Sequence, residues 1–162
     1  MFYADGSGFS MIPSVPYAWQ EKGTRIEIPS FKGKTLNLFG IWDAKENLNL
    51  YSVEGSLTSQ IVIEYIDDFC KKISGRTVIV LDNASIHRSK IFKDRELGWK
   101  SRGLEIFYLP TYSPHLNLIE HLWRFMKYEW IDFSTYNSWE NLVQYVENIA
   151  NKFGNLYTIN FD

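Results

Sequence analysis

The spacing of hydrophobic and polar positions changes along this chain, and the changes mark its elements. Phe2-Tyr3-Ala4 reads as a short strand running into Asp5-Gly6-Ser7-Gly8, a turn by composition. Residues 11 to 23 read as irregular structure containing Trp19 and ending at Gly23. Thr24 to Ile28 alternates polar and apolar, Thr35 to Ala44 is strand-like, and Asn47 to Val53 alternates again, so three antiparallel strands joined by hairpins are the simplest account. From Thr58 the period lengthens: Ile61, Ile63, Tyr65, Ile66, Phe69, Cys70 and Ile73 fit a helix of roughly fifteen residues that Gly75 stops. Val78 to Leu81 then presents four consecutive apolar residues, the pattern of a central strand covered on both faces.

The second half alternates helix and strand. Ser89 to Arg102, rich in Lys and Arg, predicts some helix ending by Gly103, and Leu104 to Leu109 returns to strand until Pro110. After a Pro-containing loop, Leu118 to Ile131 is strongly periodic: Leu118, Ile119, Leu122, Trp123, Phe125, Met126 and Trp130 share one broad face, with Glu120, Arg124 and Lys127 on the other. A last helix, Trp139 to Phe153, opens on Ser138 as N-cap and closes at Gly154. Hairpin strands followed by alternating strand and helix predict an α/β mixed sheet flanked by helices. That order suits an RNase H-like (retroviral-integrase-like) fold, and other α/β folds share it. The 162 residues fit one domain, 1–162.

Asp82, where the apolar strand ends, is the first candidate for chemistry. A carboxylate just past the carboxyl end of a buried strand faces the crevice where α/β sheets bind ligands. Asp82-Asn83 is equally a turn pair followed by a helix cap, and on this stretch alone the two readings are evenly matched. Glu120 has a similar rival, an ordinary ion pair with Arg124 four residues on. Asp-Gly-Ser-Gly is not read as a phosphate cradle, because Pro13 and Pro16 deny it the helix that must open immediately behind.

Composition narrows the setting. No apolar run approaches the ~18 residues of a membrane span, and the Met-Phe-Tyr-Ala-Asp start lacks a signal peptide's basic and apolar regions, so a cytoplasmic location is expected. The single Cys70 forms no internal disulfide. Net charge is −2, but residues 1 to 127 carry 16 Lys and Arg against 14 Asp and Glu, leaving the body mildly basic and the tail acidic. No Cys/His spacing resembles a zinc site.

Ser113-Pro114-His115-Leu116-Asn117-Leu118-Ile119-Glu120-His121-Leu122-Trp123-Arg124-Phe125-Met126-Lys127 closely resembles the Ser-Pro-x-Leu-Asn-Pro-Ile-Glu-x-x-Trp-x-x-x-Lys stretch of DDE-type transposases in the mariner-like insertion-sequence superfamily. Val80 to His87 resembles that family's strand bearing the second aspartate, and Phe2 to Phe9 resembles the first. Two positions depart from the pattern: Gly6 stands where an acidic or amide residue is common, and Leu118 replaces a usual proline.

The resemblance implies a catalytic and metal-binding triad of Asp5, Asp82 and Glu120, with 37 residues between the last two. It implies Mg²⁺, with Mn²⁺ as substitute, held as two ions for DNA cleavage and strand transfer by an RNase H-like endonuclease. A hard cation bound by one or two carboxylates plus substrate phosphate suits that chemistry. Arg124, Lys127, Asn83 and His87 are the candidate DNA contacts; His87 reads equally as a contact to a metal-bound water and more readily as a helix-start histidine with a structural bond, and Asn83 and Asn117 are also able to orient the site or cap loops. DNA is the expected partner, a homodimer an analogy from related transposases, and an upstream helix-turn-helix domain or separate chain is expected to supply end recognition. The rivals are a hydrolysis-only RNase H-like nuclease and a non-catalytic DNA-binding remnant; a glycosidase has no support beyond the carboxylates themselves.

Overall fold

A computed structural model describes residues 1–12, 21–23, 34–111 and 113–161. Its sheet has five strands in the order β3-β2-β1-β4-β5. These are β1 Phe2–Ser10, β2 Thr35–Trp42, β3 Leu48–Glu54, β4 Thr77–Leu81 and β5 Leu104–Tyr108. β1, β2 and β3 are antiparallel neighbours, while β4 runs parallel to β1 and β5 parallel to β4. The expected mixed sheet is present, with β1 at its centre and β4 one place over. The expected strand at Thr24 to Ile28 lies outside the described residues.

The Asp5-Gly6-Ser7-Gly8 segment is not a turn; β1 runs straight through it. Its partner decides this, because β2 continues the ladder opposite every position, from Tyr3↔Trp42 to Ser10↔Thr35. Gly6 also leaves room for a neighbour, since a Cβ there would stand 2.6 Å from Leu57 Cδ1. Composition cannot register a contact with a residue as distant in sequence as Leu57.

Helices cover both faces of the sheet. On one face α1, Ser59–Lys72, turns Val62, Ile63, Ile66, Phe69 and Cys70 inward, and α2, Lys90–Ser101, adds Phe92 and Trp99. Thr58 caps α1 by accepting the Ile61 N–H at 3.3 Å. On the other face lie α3, Ile119–Phe125, and α4, Trp139–Lys152. As the sequence predicts, Ser138 caps α4, accepting the Asn141 N–H at 3.1 Å, and Gly154 beyond it takes a left-handed φ of 81°.

The predicted helix from Leu118 to Ile131 is two structures. Its first turns are α3, and Met126–Trp130 then widens into a π-helical turn in which the Ile131 N–H reaches the Met126 carbonyl at 3.2 Å. Leu118 starts it with φ −60°, the value a proline would fix, so the substitution at that position leaves the backbone unchanged.

Alternation along β2 shows how one strand serves two cores. Phe39 and Ile41 pack toward α1 and α2, while Leu36, Leu38 and Trp42 pack toward α3 and α4. Gly40 also falls on the α3 side. A Cβ there would lie 2.8 Å from Ile119 Cδ1 and 2.9 Å from the Trp123 ring, so α3 approaches the sheet only because this residue is glycine.

Candidate active site

Gly40 is the register partner of Asp5. The space it leaves is filled by Trp123, whose indole N–H donates to Asp5 Oδ2 at 3.1 Å. β1 therefore places Asp5 mid-strand on the α3 face, and packing of α3 supplies its hydrogen bond. Burial first, then the Glu120 carboxylate, and more weakly that of Asp82, push the Asp5 pKa up to about 7, against the opposing bonds from the Gly6 amide and Trp123.

Asp82 is the first residue beyond β4 and is held differently. His87 Nδ1 lies 2.8 Å from Asp82 Oδ1, and the Ala84 N–H donates to the same oxygen at 3.1 Å. The His87 bond, chiefly, holds the Asp82 carboxyl below the usual carboxylate range. His87 itself sits in a 3₁₀ turn, Ser85–Arg88. That turn is pinned by Ser59 Oγ donating to the Ile86 carbonyl at 2.7 Å and Tyr108 OH donating to the His87 carbonyl at 3.1 Å.

Between a DNA contact and a helix-start histidine with a structural bond, the geometry of His87 matches the second and corrects the first. At 1% exposure it is buried beside Phe39 and Phe92, and its polar edge is turned to Asp82. Asn83 likewise has a local partner, donating through Nδ2 to the Leu109 carbonyl and so joining the loops that leave β4 and β5.

Glu120 stands in the first turn of α3, exposed, with its N–H given to the Asn117 carbonyl at 3.0 Å. Asp5, Asp82 and Glu120, which come from three distant segments, line one cavity of about 360 Å³ together with Asn83, Arg88 and Asn117. Among the described residues no three His, Cys, Asp or Glu side chains are closed up as a ready-made metal cage. The donor set nevertheless fits a hard divalent cation: all three groups offer carboxylate oxygen, and the crowding that raises Asp5 is what a cation would relieve.

A second hollow, of about 480 Å³, shares Glu120 and is lined by His115, His121, Trp123, Arg124, Lys127 and Tyr128. Arg124 is exposed there. Lys127 is only half free, its ammonium lying 5.1 Å from the Phe9 ring centre. Burial lowers the Lys127 pKa, while Glu120 and Asp5 act to raise it.

Sequence reading placed Trp123 simply among the apolar residues of its helix and missed its bond to Asp5. The signal available was its position, three residues after Glu120 and one turn on along the same helix. Arg88, on the cavity wall, was missed as well; only its place six residues beyond Asp82 pointed to it.

The strand order, the crossing helices and the acidic cavity at the strand ends together define an RNase H-like domain. The chain belongs to the DDE superfamily endonuclease family, whose sequence model matches residues 1–143. No curated protein matches it in sequence. Among solved structures it is similar to the mariner Mos1 paired-end complex with Mg, at TM-score 0.66 and 16% identity, over 91% of this chain and 46% of that one. The Mos1 strand transfer complex gives TM-score 0.65 and 18% identity over 91% and 45%. The isolated catalytic domain of Mos1 mariner transposase gives TM-score 0.56 and 13% identity over 91% and 67%. At these identities the likeness is one of fold, and the chain spans somewhat under half the length of the Mos1 chains in the two complexes. No helix among the described residues is long and apolar enough to cross a membrane.

Proposed function

We propose that this chain is the catalytic domain of a transposase, cutting DNA and joining its 3′ ends to a target with divalent metal. The observation that carries the reading is the meeting of Asp5, Asp82 and Glu120 on one cavity wall, where burial first and then the other two carboxylates raise the Asp5 pKa. Family membership and the Mos1 fold support it.

Asp5, Asp82 and Glu120 would hold Mg²⁺, or Mn²⁺ in its place, and three carboxylates are enough for two ions. Bound cations supply the positive charge that activates an attacking hydroxyl and stabilises the departing oxygen in phosphodiester exchange. The chain's own residues do the rest. His87 keeps Asp82 ionised and in one rotamer, ready to ligate. Asp5 gives up its proton when the site fills, which makes binding tighter as pH rises through about 7. Arg124 and Lys127 take phosphates in the hollow beside Glu120, and the half-exposed ring of Tyr128 offers a face on which a base can stack. Water as the entering group gives cleavage, and a DNA 3′-hydroxyl in the same position gives strand transfer.

Recognition of transposon ends belongs, on this reading, to a helix-turn-helix unit of the same or a separate chain, working in a homodimer on nucleoid DNA. Mos1 transposase forms a paired-end complex with its left transposon end, which supports transposon-end DNA as the substrate.

The test is Mn²⁺-dependent nicking of supercoiled plasmid beside Asp82→Ala and Glu120→Ala. Nicking by the wild type, reduced on the order of 10²–10³-fold in each variant, is the expected result. Equal nicking by all three proteins would remove the chemistry from these carboxylates. A joined product with a pre-cut 3′ end separates strand transfer from hydrolysis alone.

A further inference from the structure

The cavity that holds the three carboxylates has another buried polar wall. Asn117 is 2% exposed and lines it, in the turn just before α3. Its polar groups reach in different directions. The backbone N–H donates to the Pro114 carbonyl at 2.9 Å, and the backbone carbonyl accepts the Glu120 N–H at 3.0 Å. The side-chain Nδ2 donates to the Ala4 carbonyl at 3.1 Å, across 113 residues of sequence. Oδ1 is buried with no hydrogen-bond partner.

Ala4 is where the sheet opens. The parallel pairing of β1 with β4 includes Phe2↔Ile79 and Tyr3↔Val80 and goes no further. β4 ends at Leu81, and Asp5 and Asp82 line the cavity at this end of the sheet. The Ala4 carbonyl thus stands just past the end of a ladder, where a buried acceptor still needs a donor. Asn117 supplies one. Because the Ala4 carbonyl and the Asp5 nitrogen share one rigid peptide plane, holding the first fixes the second.

We propose that Asn117 is a positioning residue that sets the separation of Asp5 from Glu120 for metal binding. One side-chain bond holds the strand that carries Asp5, and one backbone bond holds the turn that carries Glu120, with a single Cα between them. Oδ1 remains a buried neutral acceptor without a partner. An aspartate here would set a carboxylate against the Ala4 carbonyl oxygen and add a fourth negative charge to the cavity. The inference rests on the metal-dependent reading of the triad.

The experiment is Mn²⁺ binding by calorimetry on the full chain, for wild type, Asn117→Ala, Asn117→Ser and Asn117→Asp, with Asp5→Ala and Glu120→Ala as references. Thermal unfolding without metal runs alongside, and Asn117→Ser, which keeps a small donor, serves where the alanine variant does not fold. Metal affinity should fall about tenfold or more in Asn117→Ala, with kcat for nicking reduced and KM for DNA unchanged, whereas in Asn117→Asp the added carboxylate attracts the cation and kcat alone should fall. An Asn117→Ala or Asn117→Ser variant that melts lower yet binds Mn²⁺ like wild type, while Asp5→Ala and Glu120→Ala do not, would overturn the proposal and leave the triad standing. Unchanged binding in Asp5→Ala and Glu120→Ala would overturn the metal reading and the proposal with it.

Discussion

Asp5 and Asp82 belong to neighbouring parallel segments and line the same cavity, yet the protein holds them in opposite states. Asp5 is mid-strand, crowded by α3 and by Glu120, and its pKa rises to about 7. Asp82 is past the strand end, with a side chain 45% exposed and bonded to His87, and its pKa falls. The difference comes from position along a strand. A mid-strand carboxylate must accept what packs over it, whereas one in the following loop can gather donors from its own turn.

That contrast fixes the pH dependence of the metal-free protein. A raised folded pKa stabilises fully below the unfolded value, so the contribution of Asp5 is present at pH 3.8 and is lost as pH rises through about 7. A lowered pKa does the reverse. Asp82 stabilises above its ordinary 3.8 and loses that as pH falls through its depressed value. From these two groups alone, stability is greatest near pH 4. Asp5→Asn should flatten the decline between pH 4 and 7, an effect on the order of a few kcal/mol by urea titration. A decline that persists undiminished in Asp5→Asn would place the crowding elsewhere.

Next in size is Gly40, which lets Trp123 lie over the sheet beside Asp5. Gly40→Val should destabilise by roughly 1–3 kcal/mol through overpacking and displace the indole from Asp5. Equilibrium unfolding measures the first and quenching of Trp123 fluorescence on the native protein the second. Stability equal to wild type would mean that α3 does not need this approach.

The smallest effect isolates one hydrogen bond. Trp123→Phe keeps most of the packing and removes the indole N–H, which lowers the Asp5 pKa. Stability should fall by about 1 kcal/mol, and the Asp5 titration, followed by carboxyl NMR, should move further upward. A downward move would contradict the assignment of that bond. Asp82 should not respond to either substitution.

Much of the fold could be read from local pattern. The apolar run of β4, the 3.6-residue spacing of α1 and the Ser138 cap of α4 are decided within a few residues of themselves. The triad was named through resemblance, since Asp82-Asn83 and Glu120–Arg124 each had an ordinary local explanation. What escaped the sequence is made by distant partners. β1 runs through Asp-Gly-Ser-Gly because β2 pairs with it and Leu57 fills the space at Gly6. For His87 the sequence favours a structural bond, and what escaped is its partners, Asp82 for the bond and Phe39 and Phe92 for the burial. The indole of Trp123 reaches Asp5 through room left by Gly40, on a third element. Spacing in one chain does not encode such triangles.

The central claim is that Asp5, Asp82 and Glu120 form one metal site, and thermal unfolding at pH 8 with and without saturating Mn²⁺ tests it most directly. A ligand that binds only the folded state raises its stability with the logarithm of its concentration over Kd. Wild type should gain melting temperature with Mn²⁺, and Asp5→Ala, Asp82→Ala and Glu120→Ala should each lose most of that gain while staying folded. An unchanged wild-type melting temperature, or a gain that survives all three substitutions, would contradict the account.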